Sequence, residues 1–418
     1  LHRDTFDFRQ ADEQGDDLRF SLTDGTPLVY QIEHWDAAAG VAAVWVRVPR
    51  IVGDSRQELR MHWGRADAKS ESSGKAVFNA SNGYLNAWHL HDAVIDETGV
   101  LESTDTGTTS VSGVIGGARH FPGGKGVFGG DKIADLPEGS ASHSTSAWFR
   151  PAVPNTTVIG WGNEQAQGKV VMQFRSPPHI RMDCYFSRGN VSSEGPVPLG
   201  QWSHVVHTYV EGEARIYVNG QLDGVNRQSG SPLNVRRPAR LWLGGWYHNY
   251  DFVGDLDEVR VSSVARSPDW IYLEYENQKP NQSLVGTLVQ PGDAFSVSHK
   301  ELTVAEGGQA TVTAKAGGAQ RLVWLLRRGP HESILATDRL SVTFDAGRVP
   351  GDETATLIFQ AVYPDAVRSR EIPVTIRNEI PEPEFVLEGP AQWDGRQTIA
   401  IVPRITNAAA LAARGADR

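Results

Sequence analysis

The sequence predicts an all-β protein built from several domains. Three observations carry this. The 418 residues include 43 glycines and 23 prolines, which punctuate short runs of about four to eight residues. Those runs alternate apolar and polar side chains, the period of a half-buried strand. Only one short segment, 268–276, begins with a clear helix start. The length suits about three domains.

Residues 1–80 form the first unit. Asp16-Asp17-Leu18-Arg19-Phe20 leads to a turn at Asp24-Gly25. Strands follow at Tyr30 to Trp35, Ala42 to Val48 and Glu58 to Trp63, and Gly64-Arg65-Ala66-Asp67 ends the unit. The acids Asp16, Asp17, Asp24, Glu33 and Asp36 suggest acid–base chemistry at first sight. Their ordinary reading is stronger: aspartates at turns accept backbone hydrogen bonds, and Glu33 between Ile32 and His34 falls on the solvent face of a strand. The phrases GDDLRF, TPLVYQIEHWD, AAVWVRVP and ELRMHWGRADA resemble an uncharacterised β-rich domain that stands ahead of laminin-G-like domains in bacterial envelope proteins. Only Leu1 to Thr5 precede FDF, where that family has its opening strands. The resemblance supplies no activity. The join from Ala76 to Tyr84 is apolar and lacks a Pro/Ser-rich linker, so the unit is expected to pack tightly on the next one.

Residues 81–280 form the second unit. Tyr84 to Leu90 opens it, and 98–118 reads as loop or weak strand. Further strands fall at Ala118 to Phe121, Ala147 to Arg150, Thr157 to Trp161, Val170 to Phe174 and Arg181 to Phe186. Trp202, His204, Val206 and Thr208 share one face of a strand, Glu211-Gly212 turns the chain, and Ala214 to Val218 returns. Asn219-Gly220 is a hairpin pair, because both residues tolerate positive φ. Asp257 to Val261 closes the unit. Ser267-Pro268-Asp269 then starts a helix over 268–276 carrying Trp270, Leu273 and Tyr275. The phrases QWSHVVHTY, ARIYVNGQLDG and GDLDEVRVSSVARSPDWI resemble the laminin-G-like, concanavalin A-like jelly-roll family over roughly Ala87 to Asn277. That resemblance implies a two-sheet sandwich with ligands at a concave face or loop rim.

After a linker at 281–290, residues 290–378 form a third unit. Its strand order resembles an immunoglobulin-like sandwich, with Trp324 as the core candidate and no cysteine pair. Pro381-Glu382-Pro383 reads as a rigid joint. Residues 383–418 read as the start of a further β domain, and NAAALAARGADR could continue as helix. The chain starts and stops inside patterns, which reads as a fragment of a longer protein.

The net charge of −10, from 40 basic and 50 acidic residues, gives no general case for nucleic acid. The single cysteine, Cys184, excludes an internal disulfide framework. No run approaches about 20 apolar residues, so no membrane span is expected within this stretch.

The loop Gly244 to Asp251 is the main ligand candidate. Trp246, Tyr247, His248 and Tyr250 offer rings for stacking, while Asn249 and Asp251 can read hydroxyls. Trp161 and Asn163 are expected on the same rim. The ordinary alternative is that these aromatics close the end of the sandwich. The jelly-roll resemblance also implies a structural calcium between opening and closing strands. Asp92 and Asp257 would be ligands, Asp255 a second choice, and carbonyls near Gly123, Gly124 and Gly130 would add oxygens. Otherwise Asp257 caps strand and loop backbone without metal.

Catalytic motifs fail on spacing. G-x-S-x-G is absent, and His331-Glu332 has Leu335 where a zinc motif needs histidine. No phosphate-binding glycine loop is present. Asp255, Asp257 and Glu258 imitate a glycosidase carboxylate set, but strict alternation would put Asp257 and Glu258 on opposite faces of the strand. The reading is a non-enzymatic module of the bacterial cell envelope, periplasmic, surface-bound or secreted, that binds a glycan or protein and uses its repeats as spacers, as in adhesion. The resemblance of the two N-terminal units also allows the periplasmic part of an ExbB/TolQ-type proton-channel machine, assembled with a channel segment outside this stretch or with copies of itself. A polysaccharide-acting enzyme on the jelly roll is the third reading.

Overall fold

The computed structural model describes residues 1–53, 55–226, 230–280, 282, 284–286, 289–290, 292–379, 384–392, 395–396 and 398–409. The joint at Pro381-Glu382-Pro383 and the tail from Ala410 lie outside the described residues. Almost all regular structure is strand. Among the described residues no helix is long and apolar enough to cross a membrane. The chain divides into two compact units. One holds 1–3 and 7–285, and the other holds 4–6 and 286–418.

In the first unit, Arg19–Leu22 pairs with Pro27–Leu28 on one side and Leu59–His62 on the other. A separate hairpin joins Tyr30–Asp36 to Val41–Val46, with a register break between Ile32 and His34. Glu33 is therefore the bulged residue, and a bulge re-aims its side chain.

The jelly roll follows in the same compact unit. One sheet runs Val191–Ser192, His179–Asp183, Lys169–Arg175, Thr156–Gly162, Ala239–Leu243, Val127–Ile133, Thr104–Asp105. The other runs Gln221–Val225, Glu213–Val218, Ser203–Val210, His143–Pro151, Val253–Ser262, Gly117–Pro122, Thr109–Ser112, and Tyr84–Trp88 also joins it on Val253–Ser262. Between the sheets lies a core around Trp88, Phe121, Phe149, Trp161, Phe174, Tyr209 and Phe252. Cys184 is free and buried in that core. The alternation of Ser203–Val210 holds: Val205 and Tyr209 enter the core, while Val206 faces outward to Ile271 of the helix. Both two-residue turns adopt the mirror-image geometry that matches sheet twist, with φ of 52° and 82° at Glu211-Gly212 and 48° and 78° at Asn219-Gly220.

The closing strand Val253–Ser262 is the longest in the jelly roll and has three neighbours. Its first half pairs with Gly117–Pro122, its second half with Tyr84–Trp88, and His143–Pro151 runs along the other edge. The two flanking strands part at Asp257-Glu258. There the register against His143–Pro151 also breaks, and Glu258 takes φ of 50°. Leu256, Val259 and Val261 enter the core. The bulge thus overturns the expectation that Asp257 and Glu258 take opposite faces, because the extra residue shifts the alternation by one.

The helix Pro268–Gln278 begins where Ser267 accepts the Trp270 N–H at 3.2 Å. Its inward face is Ile271, Glu274, Tyr275 and Gln278, the i, i+3, i+4, i+7 stripe. Tyr275 stacks on Trp148 with centroids 5.7 Å apart, and Gln278 accepts the Trp148 indole N–H at 2.6 Å. Of the apolar residues that the sequence places on this helix, Tyr275 packs inward, while Trp270 lies under the Arg266 guanidinium at 4.2 Å.

The second unit is a sandwich. A sheet of Phe295–Val297, Gln309–Ala316 and Ser341–Asp345 faces one running Leu302–Ala305, Val367–Arg377, Glu353–Val362, Arg321–Arg328, His331–Thr337. Leu302–Ala305 pairs parallel, and the other pairs are antiparallel. Trp324 sits at the centre with no exposure, among Val312, Phe344, Phe359 and Ile372. Because this core is separate from that of the jelly roll, Trp324→Ala is expected to cost the second unit about 3–5 kcal/mol and to move only one of two unfolding transitions in calorimetry. An equal downward shift of both transitions would contradict two independent cores.

Candidate functional site

On the outer face of the seven-stranded sheet, Trp242 pairs across to Gly160 on one side and to Phe128 on the other. After Gly244 the chain folds back over this row. The backbone of Trp246 and Asn249 exchanges hydrogen bonds at 3.2 and 3.0 Å. Tyr247 and His248 form the tip, both left-handed with φ of 51° and 60°. Non-glycine residues held this way cost on the order of 1–3 kcal/mol each, and such strain gathers at ligand clamps. Tyr247 stacks on Trp242 at 5.1 Å, while Trp246 and His248 meet that ring edge-on at 5.3 Å each. His248 also leans on Phe128 at 5.1 Å, and Arg240 covers Tyr247 at 4.6 Å. Gly160 makes room for this lid: a Cβ there would stand 2.5 Å from Trp246 Cε3. Glu164 fastens the loop, accepting from Trp246 Nε1 and donating its backbone N–H to the Tyr247 hydroxyl at 3.0 Å. Phe128, Trp246 and Tyr247 are half-buried, and His248 and Asn249 are exposed. The result is a ring-rich surface with an amide, a guanidinium and a carboxylate at its border.

A second polar constellation is buried. Both bulged acids, Glu33 and Glu258, point at His89, which follows the opening strand. His89 Nδ1 lies 2.7 Å from Glu258 Oε1 and 3.6 Å from Glu33 Oε2. Trp45 donates to Glu33 at 2.7 Å and stacks on the His89 ring at 5.4 Å. Arg260 binds Glu258 and Glu274 and packs 4.8 Å from the Trp45 ring. Burial, then the charge of Glu258, pushes the Glu33 carboxyl up to about 10. The same two causes push Asp257 well above the usual carboxylate range. Burial pulls on the Arg260 guanidinium, but Glu258 and Glu274 outweigh it and hold the group above its ordinary value. The side chains of Glu33 and Glu258 are each 1 % exposed, so a polysaccharide chain does not reach them.

Residues 126–272 match the concanavalin A-like lectin/glucanases superfamily, and residues 14–88 match a domain of unknown function, DUF2341. The jelly roll is a concanavalin A-like domain. No curated protein matches the chain. Among solved structures it is similar to domain 4 of AbnA, a GH43 extracellular arabinanase from Geobacillus stearothermophilus, in complex with arabinotriose, at 20% identity over 46% of this chain and 97% of that one, TM-score 0.36. It is similar to the binding domain of Paraclostridial Mosquitocidal Protein 1 at 11% identity over 67% and 77% of the two chains, TM-score 0.37. It is also similar to Trypanosoma rangeli sialidase, in complex with 2,3-difluorosialic acid, at 15% identity over 46% and 33%, TM-score 0.36.

The concanavalin A-like domain brings together Trp246, Tyr247 and His248 and separates the other expected ligand residues from them. Tyr250 is 9 % exposed and lies beneath the loop against Gly126. Trp161 lines no rim. It is fully buried in the core and donates to Thr145 at 3.0 Å, because a register break after Thr157 turns Gly160, not Trp161, outward. Asn163 is occupied with the backbone of Arg236 and Pro238 at 3.1 and 3.0 Å, and Asp251 accepts the Thr157 N–H at 2.8 Å.

The expected calcium ligands take three different roles. Asp257 accepts the N–H groups of Val114 and Ile115 at 2.7 and 3.2 Å, which caps the loop before Gly117–Pro122. Asp255 pairs with His120 at 2.8 Å and Arg150 at 2.7 Å. Asp92 is 84 % exposed beside His91. Among the described residues the three carboxylates do not fall within 4.8 Å of one another. That separation does not fit one shared calcium shell: Asp255 is matched to two cations and Asp92 stands in water, which leaves the buried, unpartnered Asp257 Oδ1 without a second carboxylate from this set. The cluster at Glu33 and Glu258 went unseen because alternation places both acids wrongly, and two bulges cannot be read from residue type. Phe128 and Gly160 left no signal beyond their strand positions.

Three histidines on neighbouring strands of the concanavalin A-like domain, His143, His204 and His207, are at most 1 % exposed. Burial lowers His143 and His204 to about 4 and His207 well below its ordinary value. Between pH 6.5 and about 4 the unfolded chain takes up protons that the folded chain refuses. Stability present above pH 6.5 is therefore lost as pH falls, by on the order of 3 kcal/mol per imidazole. Urea unfolding at pH 7 and 4.5 checks this: the acid loss should shrink in His143→Phe, and an unchanged loss would contradict it.

Proposed function

We propose that the chain is a non-enzymatic binding module of the cell envelope or the space outside it, and that it takes a glycan on the aromatic face formed by Phe128, Trp246, Tyr247 and His248. The observation that carries this reading is the strained tip at Tyr247-His248, which keeps rings half-open to water instead of folding them into the core. Sugar rings present C–H faces that stack on such rings, while Asn249, Glu164 and Arg240 stand close enough to meet hydroxyls at the edge. The second unit, with its own core, serves as a spacer.

The test is a glycan array on the full chain, followed by titration of the best ligand. Trp246→Ala and Tyr247→Ala should each weaken binding by on the order of 1–3 kcal/mol, by analogy with ring stacking on nucleobases, with little change in melting temperature. Gly160→Val should do the same by displacing Trp246 while every ring remains. Tyr250→Ala should instead cost roughly 3–5 kcal/mol of folding stability. Glycan binding unaffected by all three surface variants would sink the proposal. Turnover of the bound glycan would show an enzyme instead.

A further inference from the structure

We propose that Glu33, His89 and Glu258 form a binding site for one divalent transition-metal cation of the zinc class, which clasps the 30–46 hairpin to the closing strand of the jelly roll. The three residues each offer a ligand atom, and these atoms lie within 4.8 Å of one another. A tetrahedral zinc with bonds of about 2.0–2.2 Å sets its ligands about 3.3 Å apart. The separations here, 2.7 Å from His89 Nδ1 to Glu258 and 3.6 Å to Glu33, bracket that spacing. A shift of about half an ångström at Glu258 admits the ion.

The surrounding groups orient these ligands. His89 Nε2 lies 3.2 Å from Gln31 Oε1, and Gln31 is itself oriented by donating its amide to Glu97 at 2.7 Å. Gln31 therefore presents an acceptor, His89 donates from Nε2, and Nδ1 is left to face the two carboxylates. This is the outer arrangement that metal-bound imidazoles use. Trp45 holds Glu33, and Arg260 holds the oxygen of Glu258 that faces away from His89.

A further observation points to a ligand. Glu33 Oε1 is buried and has no hydrogen-bond partner among the described residues, and a cation bound at this carboxylate would offset that cost. The route inward is the cleft lined by His34, His91, Asp92, Gly116 and Gly117. At its base a Cβ on Gly116 would stand 3.2 Å from both Glu33 Oε1 and His91 Nδ1, so the missing side chain leaves the path clear.

The experiment uses the full chain, stripped with chelator, refolded with and without zinc, and assayed for bound metal by mass spectrometry and for affinity by competition with a chromophoric chelator. One zinc per chain and a raised melting temperature are expected, with no such rise from calcium. The isosteric Glu33→Gln should weaken zinc at least tenfold and abolish the thermal gain, while Asp92→Asn, at the mouth of the cleft, should leave both unchanged. X-ray absorption of the zinc-loaded chain should show one imidazole among oxygen neighbours. A refolded chain that holds no zinc overturns the proposal, as does full affinity in Glu33→Gln. Loss of affinity in Asp92→Asn alone would move the metal to the surface histidines and overturn it as well.

Discussion

The constraint on which the first compact unit depends is the burial of the Arg260 guanidinium. Its side chain is 4 % exposed, and an unpaired charge in that position costs several kcal/mol. Glu258 on the same strand and Glu274 on the helix offset the cost from two directions. The rings of Trp45 and Phe78 cover it at 4.8 and 5.3 Å. Satisfying one cation therefore fixes the bulge in the closing strand, the docking of the Pro268–Gln278 helix and the position of the Val41–Val46 strand. The join between the first β unit and the jelly roll is thus electrostatic and aromatic at its centre. An apolar cluster of Val77, Phe78, Tyr84 and Ala87, with Phe78 edge-on to Tyr84, lies around it.

The two polar–aromatic assemblies divide the work of the concanavalin A-like domain. The eight-stranded sheet carries the closed one, where rings and charges exclude water and bind the chain to itself. The seven-stranded sheet carries the open one, where the same residue types are tilted outward by a strained two-residue tip. The difference lies in the outer face. On one sheet a helix and a hairpin cover Trp148, Val206 and Arg260. On the other, Trp242 is covered by the loop that Gly160 accommodates. A ligand on the open sheet would therefore meet groups already positioned by packing, which keeps the ordering cost of binding low.

Much of this was legible in the sequence, and the failures share one cause. The two glycine-ended turns, the Ser267-Pro268 helix start and the faces of Ser203–Val210 follow from local rules that need no tertiary context. Trp161, Glu33 and Glu258 were misplaced because each stands in or beside a register break. A strand's faces alternate with a period of two, so one extra residue moves every later side chain to the other face. The residue types at a bulge carry no mark of it. The Pro268–Gln278 helix shows the complementary limit: its buried stripe includes Glu274 and Gln278, which a hydrophobic template discards, because their partners Arg260 and Trp148 come from distant strands.

The central claim is that Arg260 and its partners make the first hairpin and the jelly roll one cooperative structure. Native-state hydrogen exchange on the full chain tests it most directly. The amides of Tyr30–Asp36 and Val41–Val46 should open with the same free energy as those of Tyr84–Trp88 and Val253–Ser262, and Arg260→Met should change all four strands together. A hairpin that exchanges far faster than the sandwich strands, and that does not respond to Arg260→Met, would contradict the account.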